Sequence, residues 1–358
     1  MGRGMSTDVH TIKIAFAGPF TGAYGAYGTQ LLSGAMQAAQ DINAQGGLKG
    51  IKLEIIPVDD QCNPDLAVEL ATTIINSKSY HAIIGHVCSS ATLATSNLYG
   101  KANMLMITPT STNNKITERN IGTVFRISGT DQQQSIAAAN FIAHSLKSKR
   151  IAILHDQELY SKDLADLVSE QLLQLGTTPV LYHGVPRGTC NFAPIIKKLK
   201  ALNADAVYFA GLYPEVSALA KTLNVLELQI PLITADAVAL NKFVNNVGSA
   251  RVASSVMMTF ADNPSSLLSS QTAIHAMHTN KLETTGYALY AYAAVQVIAA
   301  AIEHTNTTDG RTLANWLHQH EVATVLGNKS WATNGDIINS QFKIYSMLAE
   351  NHLVAVSP

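Results

Sequence analysis

The sequence predicts an α/β protein of two doubly wound lobes joined by a multi-crossover hinge, with a ligand cleft between the lobes. Three observations carry that prediction. At 358 residues the chain is too long for one ordinary core, so two domains are expected. Short apolar runs such as residues 12–17 alternate with stretches at helical spacing, the pattern of parallel strands covered on both faces. That alternation restarts near Thr130 instead of continuing, which marks a second lobe.

The strand over 12–17 runs into a glycine-rich loop, residues 18–28. Leu32, Ala35, Met36, Ala39 and Ile42 then recur at helical spacing, and Gly46-Gly47 stops that helix. A second strand is expected over 51–58. Asn63 and Pro64 follow as cap and first-turn residue of a helix with Ala67, Leu70, Ala71 and Ile74 on one face. Strands over 81–85 and 104–107 bring this lobe to four. The second series has a helix over 133–146, a strand over 150–155, a helix capped by Ser161, and strands over 179–183, 206–210 and 231–234. Helices over 287–304 and 313–320 suit the outside of the first sheet, so the chain crosses back before strands at 341–346 and 352–356. The lobes are then 12–129 with 260–337, and 130–259 with 338–358. Residues 1–11 read as a leader left by cloning, with any signal peptide already removed.

Composition excludes several function classes. Charged residues make up 14% and the formal net charge is −1, with no basic stripe to meet nucleic acid. No apolar run approaches the ~20 residues that cross a bilayer. There is no G-x-x-x-x-G-K-[ST], no G-x-S-x-G, and the glycines at 22, 25 and 28 are three apart, unlike a dinucleotide fingerprint. The twelve histidines form no H-E-x-x-H pair, and Asp59-Asp60 reads as a cap or an ion-pair partner. No catalytic constellation, cofactor or metal is expected, and a binder is favoured over an enzyme.

Residues 85–112 hold the binding signal. Two consecutive strands end in loops dense with hydroxyls: Cys88-Ser89-Ser90 at a helix start, and Thr108-Pro109-Thr110-Ser111-Thr112. Carboxyl-end loops of an open α/β sheet are where ligands sit, and a helix N-terminus suits a carboxylate or phosphate. Ser and Thr also cap helices and turns, but two successive hydroxyl-rich strand ends point to a ligand cradle. Cys62 and Cys88 each follow a strand. If those strands are neighbours the two thiols can bridge; unpaired thiols and a zinc site with His86 are the alternatives, and the disulfide is the reading adopted. It implies an oxidising compartment.

Several segments carry a resemblance that runs from Ile12 to the C-terminus. They are Tyr27-Gly28, Asp41-Ile42-Asn43-Ala44 with Gly46-Gly47, Asp59-Asp60-Gln61-Cys62, Gly85-His86-Val87-Cys88-Ser89-Ser90 and Leu105-Met106-Ile107-Thr108-Pro109. His155-Asp156 with Tyr160, Tyr213-Pro214-Glu215, and Trp331 with Gly335-Asp336 complete the set. The chain resembles the periplasmic binding proteins for leucine, isoleucine and valine, soluble receptors of branched-chain amino-acid ABC importers. The resemblance implies that Ser89 and Thr112 hold the α-carboxylate of an L-amino acid. Thr110 offers its backbone carbonyl to the α-ammonium, and Asp236 completes the ammonium site. Tyr27, Tyr160, Leu212, Tyr213 and Tyr287 would wall the side-chain pocket. It also pairs Cys62 with Cys88, leaves Cys190 free, and implies a periplasmic monomer partnered by a membrane permease.

Two departures from the family pattern stand out. Asp236 occupies a position where relatives carry glutamate, which shortens its reach by about 1.5 Å. Leu212 replaces an aromatic residue, with Tyr213 next to it. A sensor of amides or other small ligands coupled to a regulator is the alternative function, and an α/β enzyme on a sugar- or nucleotide-like substrate is a third.

Overall fold

The computed structural model describes residues 11–347 and 353–356. The leader up to residue 10 and His352, at the head of the last expected strand, lie outside the described residues. One compact unit takes the chain to Ser128 and again over Pro264–Asn339; the other takes Gly129–Asn263 and the chain from Ser340 onward.

In chain order, the first unit opens with β1 (Thr11–Gly18), α1 (Gly25–Ala44), β2 (Lys52–Asp59), α2 (Pro64–Ser77), β3 (Ala82–Ile84), α3 (Ser89–Lys101), β4 (Leu105–Thr108) and β5 (Val124–Arg126). The second unit follows with α4 (Asp131–Asn140), β6 (Ile151–His155), α5 (Leu159–Gln174), β7 (Leu181–Gly184), α6 (Ala193–Ala201) and β8 (Ala206–Ala210). It continues through α7 (Tyr213–Val225), β9 (Leu232–Thr234), α8 (Asn241–Val247), α9 (Ala250–Ser255) and β10 (Val256–Ala261). The chain returns to the first unit for α10 (Gln271–Thr279), α11 (Ala288–Thr305), α12 (Gly310–Leu317), β11 (Val322–Thr324) and β12 (Gly327–Lys329). It ends in the second with β13 (Phe342–Met347) and β14 (Leu353–Ala355).

The first unit's main sheet has the order β2-β1-β3-β4-β5, all parallel. Strand order reverses between β1 and β3, a topological switch point where carboxyl-end loops diverge and leave a crevice. The fifth strand is an addition to the four expected; it has three residues and ends in an arginine, too little for an apolar run. β1 also lies between β2 and β3, so the strands that precede Cys62 and Cys88 are not neighbours. Both still end at one sheet edge, and the two cysteines are bonded across it with Cα atoms 5.4 Å apart. That bond excludes the zinc and free-thiol alternatives, while Cys190 is free.

The glycine-rich stretch is only partly loop. α1 begins at Gly25, earlier than the apolar spacing suggests, because Gly25 and Gly28 let its first turns press against the chain at Pro19-Phe20. A Cβ at Gly28 would collide with the Pro19 carbonyl oxygen. Less than two turns further along α1, Gly34 admits the Ala288 carbonyl at the start of α11, and the two helices pack along each other. α11 buries most of its length, including Ala294, Val297, Ile298 and Ala301, which explains its near-continuous apolar sequence. No helix among the described residues is long and apolar enough to cross a membrane.

The second unit's sheet has the order β14-β13-β10-β9-β8-β6-β7, parallel from β10 to β7 and antiparallel at β13 and β14. Its switch point lies between β6 and β8. α4 and α5 cover one face of this sheet over Ile153, Tyr208 and Ile233. β10 was not expected from the sequence, since α9 abuts it with no turn residue between Ser255 and Val256. Ser161 is not the cap of α5: the helix starts two residues earlier at Leu159, and Ser161 is buried within its first turns.

The disulfide closes a span of 26 residues around α2. Replacing Cys62 and Cys88 by serine together is expected to lower unfolding stability by about 3 kcal/mol in urea titrations. Reducing agent should do the same to the native chain.

Candidate functional site

In the first unit, the loops after β3 and β4 are bound together by hydroxyl groups. The His86 carbonyl accepts from Thr92, Thr108 and Ser111 hydroxyls at 2.9, 2.9 and 3.1 Å. The Val87 carbonyl accepts from Thr110 and Ser111 at 2.8 and 3.1 Å. Most of the hydroxyls that looked like a cradle therefore fix the backbone. The Thr110 hydroxyl is one of these, which leaves only its main chain for a ligand.

Ser89 and Thr112 differ from the rest. Ser89 is the first residue of α3, is 4% exposed, and follows Cys88, whose side chain provides no cap. The leading N–H groups of α3 thus lack the side-chain acceptor that Asn63 gives α2 at Asp65 and Leu66. Thr112 is fully buried and its hydroxyl has no hydrogen-bond partner among the described residues. A buried polar atom of this kind costs ~1–3 kcal/mol unless something meets it. Open helix donors together with this hydroxyl suit a carboxylate. Tyr27 stands on α1, half-buried, and Tyr287 stands immediately before α11, buried and edge-on to Tyr290 with centroids 5.0 Å apart.

Arg126, at the end of β5, holds the Thr112 loop in place. It is fully buried and donates to Asp336 Oδ1 at 2.7 Å, to the carbonyls of Ser111 and Asn113 at 2.7 and 2.9 Å, and to Thr117 Oγ1 at 2.7 Å. Its own carbonyl accepts the Trp331 indole N–H at 2.8 Å. Sequence reading placed Arg126 only at a lobe boundary. The signal available was an arginine closing an apolar segment, with a distant Trp331 and Gly335-Asp336 able to meet it. Asp59 and Asp60 are structural as expected: Asp59 accepts from Phe20 N–H at 2.8 Å and Asp60 pairs with buried His86 at 2.6 Å. No group of three or more His, Cys, Asp or Glu among the described residues could hold a metal.

In the second unit, the predicted residues follow β6, β8 and β9. Asp236 comes two residues after β9 and is 3% exposed. The Tyr160 hydroxyl, from the start of α5, donates to Asp236 Oδ1. Burial and the Asp236 charge hold the Tyr160 phenol well above its ordinary range, so it stays a donor. Leu212 and Tyr213 begin α7, the first half-buried and the second buried. The structure thus joins Tyr160 to Asp236 directly, and joins the Ser89 and Thr112 loops through Thr92 and Ser111, which share a 2.8 Å hydrogen bond.

Asp156, just past β6, is a further buried acid. Burial, with Glu215 and Glu158 charges nearby, pushes it up from 3.8 to about 6 despite a hydrogen bond from the Glu158 N–H at 3.0 Å. The folded chain then binds this proton more tightly than the unfolded chain.

A family profile described as periplasmic binding protein matches residues 11–348. An amino acid binding protein of Pseudomonas aeruginosa is 37% identical over 343 residues, covering 96% of this chain and 92% of that protein. The Leu/Ile/Val-binding protein of Escherichia coli K12 is 32% identical over 335 residues, covering 93% and 90%. A branched-chain amino acid transporter substrate-binding protein from Streptococcus pneumoniae, solved with isoleucine, superposes with TM-score 0.86 at 23% identity, covering 97% of this chain and all of that one.

Two stability predictions follow from these networks. Arg126→Met strands the Asp336 carboxylate and two carbonyls, and is expected to cost about 3 kcal/mol by urea denaturation. For Asp156, stability is complete below pH ~4 and falls as pH rises through about 6, since its folded value is raised. Asp156→Asn should therefore stabilise the protein by about 2 kcal/mol at pH 8 and by almost nothing at pH 3.5. Paired thermal melts at the two pH values check this.

Proposed function

Because the chain belongs to the periplasmic binding protein family, we propose that it is the solute receptor of an ABC importer, binding an aliphatic, branched-chain L-amino acid in the periplasm. The observation that carries this reading is the N-terminus of α3, which has no side-chain cap, together with the buried Thr112 hydroxyl of the neighbouring strand end, which has no hydrogen-bond partner among the described residues. Ser89, Thr112 and the α3 N–H groups would hold the α-carboxylate. Phosphate fits less well, since the buried cation of that unit, Arg126, is already engaged with Asp336 and the loop carbonyls.

The α-ammonium would be met by Asp236 and by the Thr110 carbonyl. The Tyr160 hydroxyl donates to one oxygen of the Asp236 carboxylate and fixes its orientation. Tyr27, Tyr160, Leu212, Tyr213 and Tyr287 would enclose the side chain. Contacts to both carboxylate and ammonium groups favour the conformation in which all of them reach one ligand, and this closed form is what a membrane permease would recognise. The names of the Escherichia coli and Streptococcus pneumoniae relatives support the branched-chain ligand class.

A thermal-shift panel over the amino acids tests the proposal. Leucine, isoleucine or valine at ~100 times its Kd should stabilise the protein by about 2.7 kcal/mol. A response to amides with none to these three would replace the transport reading with an amide sensor. Asp236→Ala is expected to weaken binding by about 2–4 kcal/mol in titration calorimetry, and an unchanged affinity would remove Asp236 from the site.

A further inference from the structure

We propose that His86, clamped between the Asp60 carboxylate and the Tyr99 hydroxyl, is a positioning residue for ligand binding: its side chain fixes the main-chain carbonyl on which the two loops carrying Ser89 and Thr112 meet. This inference rests on the proposed function above. It goes beyond that reading in naming the buried side chain that sets the spacing of the donors, and the end of the ligand it governs.

His86 is held through both its main chain and its ring. Its carbonyl joins the two hydroxyl-rich segments, since Thr92 reaches it from α3 while Thr108 and Ser111 reach it from the end of β4 and the loop beyond. Ser89 stands three residues before Thr92, and Thr112 directly follows Ser111, so a shift of this carbonyl moves both. On the ring, Nδ1 lies 2.6 Å from Asp60 Oδ2 and Nε2 lies 3.3 Å from the Tyr99 hydroxyl. A carboxylate only accepts, so Nδ1 carries the proton of the shorter bond. Burial and the Asp60 charge hold the Tyr99 phenol well above its ordinary range, so it keeps its proton and serves as a donor.

Asp60 is itself immobilised from several directions. Its N–H donates to the Gly18 carbonyl at the end of β1 at 3.1 Å, and its carbonyl accepts from the Asn63 N–H at 2.8 Å. Its Oδ1 accepts from the Cys62 N–H at 2.8 Å. Cys62 is bonded to Cys88, which immediately precedes Ser89. The loop after β2 thus grips the approach to α3 twice, covalently at Cys88 and through the ring at His86. Tyr99 adds a third hold from within α3, its ring stacked on His86 with centroids 5.9 Å apart.

Stability alone does not account for this cluster. Asp60, His86 and Tyr99 are all fully buried. Apolar side chains of similar volume in place of a buried polar pair are often neutral or stabilising, whereas directional bonds specify one geometry. The geometry served here is that of the α3 N–H groups and the Thr112 hydroxyl around a carboxylate. Three hydroxyls on one carbonyl leave its peptide free to tilt, and a ring clamped at both nitrogens removes that freedom. In positioned sites a displacement of about 1 Å can cost about 100-fold.

Asparagine and glutamine separate the two ring nitrogens, because the asparagine amide nitrogen replaces Nδ1 and that of glutamine replaces Nε2. Titration calorimetry on the full chain with L-leucine, and displacement of leucine by L-leucinol, test the proposal. Leucinol keeps the ammonium and the side chain but has a hydroxymethyl group where leucine has its carboxylate. His86→Gln leaves Asp60 Oδ2 without its donor and should weaken leucine by about 30-fold and leucinol by less than about 3-fold. His86→Asn keeps the Asp60 bond and should hold leucine within about 5-fold of the native affinity. Equal losses for both ligands in His86→Gln would show a purely structural role, and an unchanged leucine affinity would show none. An asparagine variant no better than the glutamine one would show that the Asp60 bond does not position the loops. Each of these results overturns the proposal. Should the His86 variants not fold, Tyr99→Phe decides, since it deletes one oxygen and keeps the core shape. A drop of about 5-fold for leucine alone supports the clamp, and unchanged affinity or equal losses overturn it. A native protein that binds no amino acid would overturn the functional reading itself, whereas native leucine binding with an unshifted ratio in the variants removes only the role of His86.

Discussion

The buried guanidinium of Arg126 is the interaction on which the first unit's binding edge depends. It satisfies carbonyls of the loop after β4, a threonine beyond that loop, and the carboxylate of Asp336, which arrives after the chain has passed through the other unit. A planar donor fork suits this task because its N–H groups diverge at fixed angles, so several acceptors are held in one geometry. Trp331 adds a bond in the opposite sense, from its indole to the Arg126 carbonyl. The loop bearing Thr110 and Thr112 is therefore anchored from beneath by a cation and from the side by hydroxyls on the His86 and Val87 carbonyls. Such a site can leave the Thr112 hydroxyl without a hydrogen-bond partner among the described residues, because its neighbours are over-determined.

This arrangement also explains why the hydroxyl-rich loops misrepresent their own chemistry in sequence. Thr92, Thr108, Thr110 and Ser111 look equivalent to Ser89 and Thr112 as residue types. Their roles differ because the His86 and Val87 carbonyls, which follow β3, take their hydrogen-bond donors from α3 and the loop after β4. Position on the strand end was readable; which hydroxyl remains available depends on tertiary contacts. Arg126 was hidden for the same reason, since its acceptors lie up to 210 positions away in the chain.

Most of the fold was readable where local chemistry and packing agree. Asn63-Pro64 at the start of α2, Gly46-Gly47 past α1, and the apolar run of β8 each specify their element without tertiary help. β5 and β10 were missed because one is too short to show a pattern and the other lacks a turn before it. Ser161 was misread because a helix can begin without a side-chain cap when its first turn is buried by packing. The Cys62–Cys88 bond was anticipated from strand ends, but its geometry is set by β1 lying between the two strands, which spacing alone does not reveal.

The two units differ in how their buried charges are balanced, and that difference bears on the ligand. In the first, Asp60 meets His86 and Arg126 meets Asp336, so its charges are paired internally. In the second, four carboxylates are buried without a buried lysine or arginine among the described residues. Internally paired charges leave a surface free to offer neutral donors, as the α3 N–H groups and the Thr112 hydroxyl do. A buried acid is tolerated where a proton or hydrogen-bond donors compensate it, and Asp156, pushed up to about 6, shows the first route. Asp236 takes a hydrogen bond from the Tyr160 hydroxyl. A zwitterion needs donors at one end and acceptors at the other, and the first unit offers buried donors where the second offers buried acids.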